Sequence, residues 1–241
     1  MKQFPYREAV DKLLWLTIFT RPDIMYAVTQ TAKFCNNPGR DHWNAVLHII
    51  SYLSNTVNYE LVYYEDDQSN SPMGYFKSSN EKVLVMYSDA DFCRDTDSYK
   101  SVSGYIYMLS NGPISWSSKQ QAEVALSSME SEYYAASYAA QIGIWVDQML
   151  EELKIKIDKP LLIGEDNTAA IIFSEHPTNH MKTKHIIRRY HYVRDQVEKK
   201  NALLVKVATE DNLADIFTKP LGTERFIFLR DQFMHDILDN E

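Results

Sequence analysis

Four carboxylates stand at the joints of the hydrophobic pattern: Asp89, Glu132, Asp166 and Asp215. Asp89 ends the apolar run KVLVMYSD (82–89), and Asp166 ends the short run LLIGED (161–166). Glu132 lies in the first turns of a long helical stretch, and Asp215 in a helix after the last strand. If the strands that carry Asp89 and Asp166 are parallel neighbours, both carboxylates meet at one edge, where α/β sheets gather their ligands. Ala135, Ala136 and Ala139 follow Glu132 at i+3, i+4 and i+7, a small-residue face that lets the helix approach the sheet closely. Clustered carboxylates repel one another unless they are protonated or bind metal. Hard oxygen donors suit Mg²⁺, and a pair of such ions about 4 Å apart can activate a water and stabilise a leaving oxygen in phosphodiester cleavage. Spacing alone does not single these four out, because the chain holds 33 acidic residues and most acidic side chains are solvated surface.

Other constellations compete. Tyr64-Glu65-Asp66-Asp67 imitates a polymerase YxDD motif, but it follows a helix, without an upstream aspartate block, and reads as an acidic linker. Asp89, Asp91, Asp95 and Asp97 have calcium-loop spacing without the turn glycine or the closing glutamate, leaving Asp91 at most a minor ligand. His176 and His180 are separated by Pro177, which breaks the helix that would align them for zinc. Glu130, two residues before Glu132, belongs to a different helix face. Trp116 and the tyrosines at 105, 107, 133 and 134 read as core rather than stacking platforms.

The surrounding pattern must position these groups. Residues 1–55 read as helices, with NAVLHIISYL (44–53) at helical spacing and Pro22 and NNPG (36–39) as punctuation. YELVYY (59–64) reads as a strand, and the polar stretch 65–74 as a boundary. SGYIYMLS (103–110), Asn111-Gly112 and PISWSS (113–118) form a hairpin signal. A long helix over 127–153, a strand over 161–166, helices over 167–175 and 184–199, a strand over 202–207 and a helix over 211–219 complete the order. Three strands in antiparallel succession, then strands separated by helices, imply an α/β fold: a mixed sheet with helices on its faces.

Hydrophobic residues make up 45% of the 241, enough for a real core, and no apolar run is long enough to span a bilayer or to serve as a signal peptide. The two isolated cysteines, Cys35 and Cys93, exclude a disulfide framework and fit a reducing compartment. The net charge is −8, yet residues 181–200 carry +5, leaving −13 for the rest. Basic charge concentrated on one element suits phosphate contact better than the average suggests. Lys182, Lys184, His185, Arg188 and Arg189 are the candidate nucleic-acid-binding residues.

The blocks YSDADF, SGYIYML, GPISWSSKQ, ALSSMESEYYA, EDNTAA, TKHIIRRYHYVRD and EDNLADIFTKPL resemble, in order, those of the ribonuclease H domain of copia-type retrotransposons. REAVDKLLWLTIFTRPDIMYAV and DHWNAVLHIISYL resemble the tail of the preceding reverse transcriptase, its thumb and connection region. The resemblance implies a ribonuclease H-like five-stranded mixed sheet over 76–241 with helices on both faces, after a small, mostly helical segment over 1–75. It carries metal binding onto Asp89, Glu132, Asp166 and Asp215. Asp89 and Asp166 would share the ions, Glu132 would hold the one near the leaving oxygen, and Asp215 the one that activates water. The implied cofactor is two Mg²⁺ ions, with Mn²⁺ as a substitute. The implied substrate is an RNA·DNA hybrid, cut on its RNA strand to leave a 5′-phosphate and a 3′-hydroxyl. The reverse transcriptase palm and fingers are absent from this chain, and no membrane partner is expected. The expected setting is the cytoplasm, in a virus-like particle of an intact element, or the nucleus. Relatives of this fold carry a mobile histidine before the last aspartate; KVATEDNLAD has none, and His185 is the candidate substitute. The rival expectations are a non-catalytic, hybrid-binding relic and another nuclease of the same fold that acts on DNA.

Overall fold

A computed structural model describes residues 4–63, 84–95, 97–109, 112–175 and 191–240. The YEDD stretch, His176, His180, Asn111 and all five candidate phosphate-binding residues (Lys182, Lys184, His185, Arg188 and Arg189) lie outside the described residues.

The chain divides into two compact units, one of residues 1–62 and 219–241, the other of 63–218. In the first, α1 (Tyr6–Phe19), α2 (Met25–Ala32) and α3 (Arg40–Asn55) bury Tyr6, Val10, Leu13, Ile24, Val28, Val46 and Ile49 against one another. Pro22 opens a 3-10 turn that separates α1 from α2, as the sequence suggests. The expected strand over 59–64 is shorter: β1 is Tyr59–Leu61. Its partner is β7 (Met234–Asp236), which pairs antiparallel with it after helix α7 (Thr223–Arg230). The last 23 residues group with the first unit.

The second unit is built on a five-stranded sheet in the order β4-β3-β2-β5-β6. The strands are β2 (Leu84–Asp91), β3 (Val102–Leu109), β4 (Gly112–Gln120), β5 (Leu161–Glu165) and β6 (Ala202–Lys206). β2, β3 and β4 run antiparallel, while β5 and β6 run parallel to β2. This is the expected mixed sheet. Between β4 and β5 lies α4 (Ser128–Glu152), and between β5 and β6 lie α5 (Thr168–Glu175) and α6 (Tyr192–Glu198). Leu84, Met86, Tyr105, Tyr107, Leu161 and Ile163 face these helices, in a core shared with Tyr133, Ala136, Ala139, Phe173 and Val193. Gly143 is what brings α4 down: a Cβ there would sit 2.5 Å from Met86 Sδ. Tyr107 donates its hydroxyl to the Ala139 carbonyl. Strand alternation turns Gly104, Ile106 and Met108 to the opposite face. There the chain after β6 packs through Phe217 and Thr218 against Gly104. The tyrosines expected in the core are buried, and Trp116 is half-buried on β4.

Two expected helices change. The helix over 211–219 is replaced by two 3-10 turns, Thr209–Asp211 and Leu213–Phe217. Pro220 disfavours helical geometry at Lys219, and so short a run closes i→i+3 bonds instead. Of the helix expected over 184–199, the described part is α6, which Lys200 ends in the left-handed region at φ 59°.

Candidate metal centre

The parallel register pairs Val85 with Leu162, Met86 with Ile163 and Tyr87 with Gly164. Carried two residues further, it sets Asp89 beside Asp166. Asp89 does not end β2, as its place in the sequence suggested. The strand continues to Asp91 on the β3 side, where Asp89 faces Gly104. β5 stops at Glu165, so Asp89 stands where β2 loses its parallel neighbour. Just beyond, the Ala90 N–H donates to Glu132 Oε2 at 2.7 Å. This bond ties α4 to the sheet edge and holds the glutamate there.

Asp89, Glu132 and Asp166 offer ligand oxygens that all lie within 4.8 Å of one another. Asp89 and Glu132 are buried, and Asp166 is half-buried. Asp215 falls outside this group. It is buried in the turn Leu213–Phe217, and it joins the site through Thr218, whose hydroxyl is bonded to Asp89 Oδ2 and lies 3.2 Å from the Asp215 carbonyl.

Glu130 has different work. It is buried, with Oε2 accepting from Leu126 N–H at 2.8 Å and Oε1 from the Tyr134 hydroxyl, while Ser127 Oγ accepts from Glu130 N–H at 3.1 Å. These bonds close the start of α4, where backbone donors lack helical partners. The calcium-like spacing is likewise used internally: Asp95 Oδ1 accepts from Asp97 and Ser98 N–H, and Asp91 pairs with Arg94 at 3.3 Å. His191 packs beside Tyr133 and Phe173 at the start of α6.

One carboxylate was missed. Glu165 is fully buried, accepting from Ser88 Oγ at 3.1 Å and from Asn167 N–H at 2.9 Å. Strand alternation could have found it, because Leu161, Ile163 and Glu165 share the buried face of β5. Asn212 was also missed. Its Nδ2 donates to the Ser88 carbonyl at 2.9 Å, and its Oδ1 accepts from Ala214 N–H at 3.1 Å, which anchors the turn bearing Asp215.

Burial pushes the Glu132 carboxyl well above the usual carboxylate range, and Glu165, Asp89 and Asp166 push it further; the Ala90 N–H opposes them without prevailing. Burial also raises Glu165 strongly, with Asp89 and Asp166 adding to it against the bonds from Asn167 and Ser88. Lys206 gives its ammonium to the Asp166 main-chain carbonyl. The donor set fits a hard divalent cation: every side chain offers a carboxylate oxygen, and a cation there would relieve the penalty that burial and mutual repulsion impose.

The family follows from the comparisons. The chain is 38% identical over 221 residues, 92% of its length, to the retrovirus-related Pol polyprotein from transposon RE2 of Arabidopsis thaliana. The chain belongs to the copia-type retrotransposon Pol family. It spans 14–16% of the length of the plant transposon polyproteins that it matches at 36–38% identity. It is also 39% identical over 146 residues to the secreted RxLR effector protein 161 of Plasmopara viticola, covering 61% of this chain and 94% of that one. Among solved structures, LC11-RNase H1 in complex with an RNA/DNA hybrid aligns with a TM-score of 0.38 at 13% identity, over 56% of this chain and 93% of that chain. No protein-family model matches the chain. In this copia-type Pol chain the expected α/β architecture stands, and no helix among the described residues is long and apolar enough to cross a membrane.

Proposed function

We propose that the chain is the ribonuclease H part of a retrotransposon reverse transcriptase, hydrolysing the RNA strand of RNA·DNA hybrids with two divalent ions. The observation that carries this reading is the meeting of Asp89, Glu132 and Asp166 within 4.8 Å at the edge where β5 ends. Asp89, Glu132 and Asp166 would hold Mg²⁺ or Mn²⁺, with Asp215 contributing from the turn after β6. Bound there, such ions activate a water and stabilise the leaving oxygen of a phosphodiester. The residues themselves present oxygens from three different elements, and β2 and α4 keep two of them out of bulk water. Glu165 stays beneath as a hydrogen-bonded acid. The basic segment 182–189 would track phosphates without reading bases, so sequence specificity should be low. Residues 1–75 take the place of the thumb and connection region, and the polymerase palm and fingers belong to the rest of such a polyprotein.

The test is incubation of the 241-residue chain with a labelled RNA·DNA hybrid and Mg²⁺, beside duplex DNA and duplex RNA. Cleavage of the hybrid's RNA strand, leaving 5′-phosphate and 3′-hydroxyl ends, is the expected result. Silence in both Mg²⁺ and Mn²⁺, or preference for duplex DNA, sinks the reading.

One observation favours a second reading. The Plasmopara viticola relative is matched over 94% of its own length and is named an effector rather than a polyprotein. In this second reading the chain is a hybrid-binding module without catalysis. Hybrid binding without cleavage, at saturating metal, would select it.

A further inference from the structure

We infer that Thr218 is a positioning residue for metal binding: its hydroxyl holds the Asp89 carboxylate and thereby locks the turn that carries Asp215 onto the site. The inference rests on the ribonuclease H reading above.

Thr218 is fully buried, and its Oγ1 bonds to Asp89 Oδ2 across 129 residues of sequence. The same oxygen lies 3.2 Å from the Asp215 carbonyl, and the Thr218 N–H donates to that carbonyl at 3.2 Å. A hydroxyl carries one proton, so it can serve only one acceptor at a time. The carboxylate is the stronger acceptor of the two and takes that proton, while the Thr218 N–H closes the turn at the Asp215 carbonyl. A carboxylate has two oxygens and about four lone-pair sites, so it can take this bond and still ligate an ion. The donor adds no charge to the cluster and fixes one rotamer of Asp89.

Gly104 makes the arrangement feasible. It lies opposite Asp89 in the β2–β3 register, and a Cβ there would come within 2.7 Å of Thr218 Cγ2 and 2.8 Å of Phe217 Cβ. The bare backbone at 104 lets the turn sit directly on the sheet, and the threonine hydroxyl then reaches a carboxylate on the neighbouring strand. Asn212 holds the other end of the same turn through the Ser88 carbonyl, one residue before Asp89. The turn is thus fastened at both ends to two consecutive residues of β2. Partners of this kind, one step out from a metal, typically alter affinity by about 10–100-fold when removed.

The experiment measures binding of Mn²⁺ and Mg²⁺ alone to the full chain by calorimetry, for wild type, Thr218→Val, Thr218→Ala and Thr218→Ser. Thr218→Val should weaken binding by at least about tenfold, and Thr218→Ser should restore it to within about threefold, because the serine keeps the hydroxyl and loses only the methyl. In an Asp89→Asn background, Thr218→Val should add little, since the hydroxyl acts through Asp89. Thr218→Ala decides if the valine variant does not fold. Wild-type affinity in Thr218→Ala or Thr218→Val overturns the inference, as does equal weakening in Thr218→Ser, which would assign the effect to the methyl packed on Gly104. Failure of wild type to bind either ion would instead overturn the ribonuclease H reading itself.

Discussion

Two clusters of buried charge lie in the two units, and they are built on opposite plans. In the first unit, Arg21 grips Asp23 with two bonds of 3.0 and 2.8 Å, gives two more to Thr56, and leaves Asp23 Oδ2 to accept from Tyr52 at 2.7 Å. Arg230 extends the network, donating to Tyr59 at 2.9 Å with its guanidinium 4.2 Å from the Tyr59 ring centre and pairing with Asp231 at 2.8 Å. Each charge there has its counter-charge. In the second unit, Asp89, Glu132, Glu165 and Asp166 crowd together with one sign only. A buried charge is tolerable when it is paired and hydrogen-bonded. The first cluster meets that condition within the chain and so reads as architecture. The second is hydrogen-bonded too, but its carboxylates share one sign and repel one another unless protonated or bound to an ion, and so it reads as a site.

The sharpest way to break this contrast is to neutralise one member of each cluster. Asp89→Asn and Asp166→Asn should each lower hybrid cleavage by more than about a hundredfold, since even partners outside the ligand shell cost 10–100-fold. Measured without metal, Asp89→Asn should also raise the stability of the second unit, by about 1 kcal/mol or about 2–4 °C in melting temperature, because repulsion is relieved. Activity within threefold of wild type, or a lower metal-free melting temperature, would remove the distinction between the clusters. Arg21→Ala should do the reverse: leave metal binding unchanged and destabilise the first unit by about 3–5 kcal/mol, as expected when one partner of a buried pair is removed. Urea unfolding followed by circular dichroism measures this, and a cost below about 1 kcal/mol would mean that the network contributes little.

A smaller effect follows from pH. The Glu132 carboxyl sits well above its ordinary value of 4.5 because burial, and then its acidic neighbours, disfavour the charged form. A carboxyl raised on folding binds its proton more tightly in the folded state. Its contribution to metal-free stability is therefore fully present below its unfolded value and is lost as pH rises through the raised one. Glu132→Gln cannot titrate, so wild type should lose stability relative to this variant as pH climbs from about 4.5 towards neutrality. Added Mg²⁺ should reverse the trend, with a melting-temperature gain that grows with pH. A gap between wild type and Glu132→Gln that does not change with pH would show that Glu132 titrates normally.

Much of this was legible because two periodicities carry most of the information. Period-2 alternation locates the β3–β4 pairing, although Gly112, expected in the turn, instead opens β4 opposite Leu109, and the long small-residue face locates α4. The three carboxylates that meet were visible because each lies close to the end or start of an element: Asp89 two residues before β2 stops, Asp166 just past β5 and Glu132 in the first turns of α4. The places where expectation failed depend on long-range partners. β2 runs past Asp89 because β3 accompanies it further than β5 does. β1 and β7 pair across more than 170 residues, a contact that local periodicity does not signal. Glu165 and Thr218 act through hydrogen bonds that no local pattern announces, although alternation places Glu165 inside. The turn bearing Asp215 is 3-10 because Pro220 follows it, which composition alone did not weigh.

The smallest expected effect separates two buried glutamates two residues apart. Glu130 and Glu132 both lie in the opening turns of α4, both are buried, and a residue count cannot rank them. Their partners can. Glu132 accepts from the sheet at Ala90 and lies within reach of Asp89 and Asp166. Glu130 accepts from Leu126 N–H and the Tyr134 hydroxyl, both within four residues of it. Glutamine keeps one carbonyl oxygen, so Glu130→Gln can accept one of the two bonds and gives up the other. It should leave metal affinity and cleavage within about twofold of wild type and cost about 1–3 kcal/mol of stability, the penalty of a buried donor left without its acceptor. Glu132→Gln should abolish cleavage while leaving the fold intact. A variant series in which Glu130→Gln is dead and Glu132→Gln is active would move the site one helix face round, and with it the claim that the cluster of like charges is the functional one.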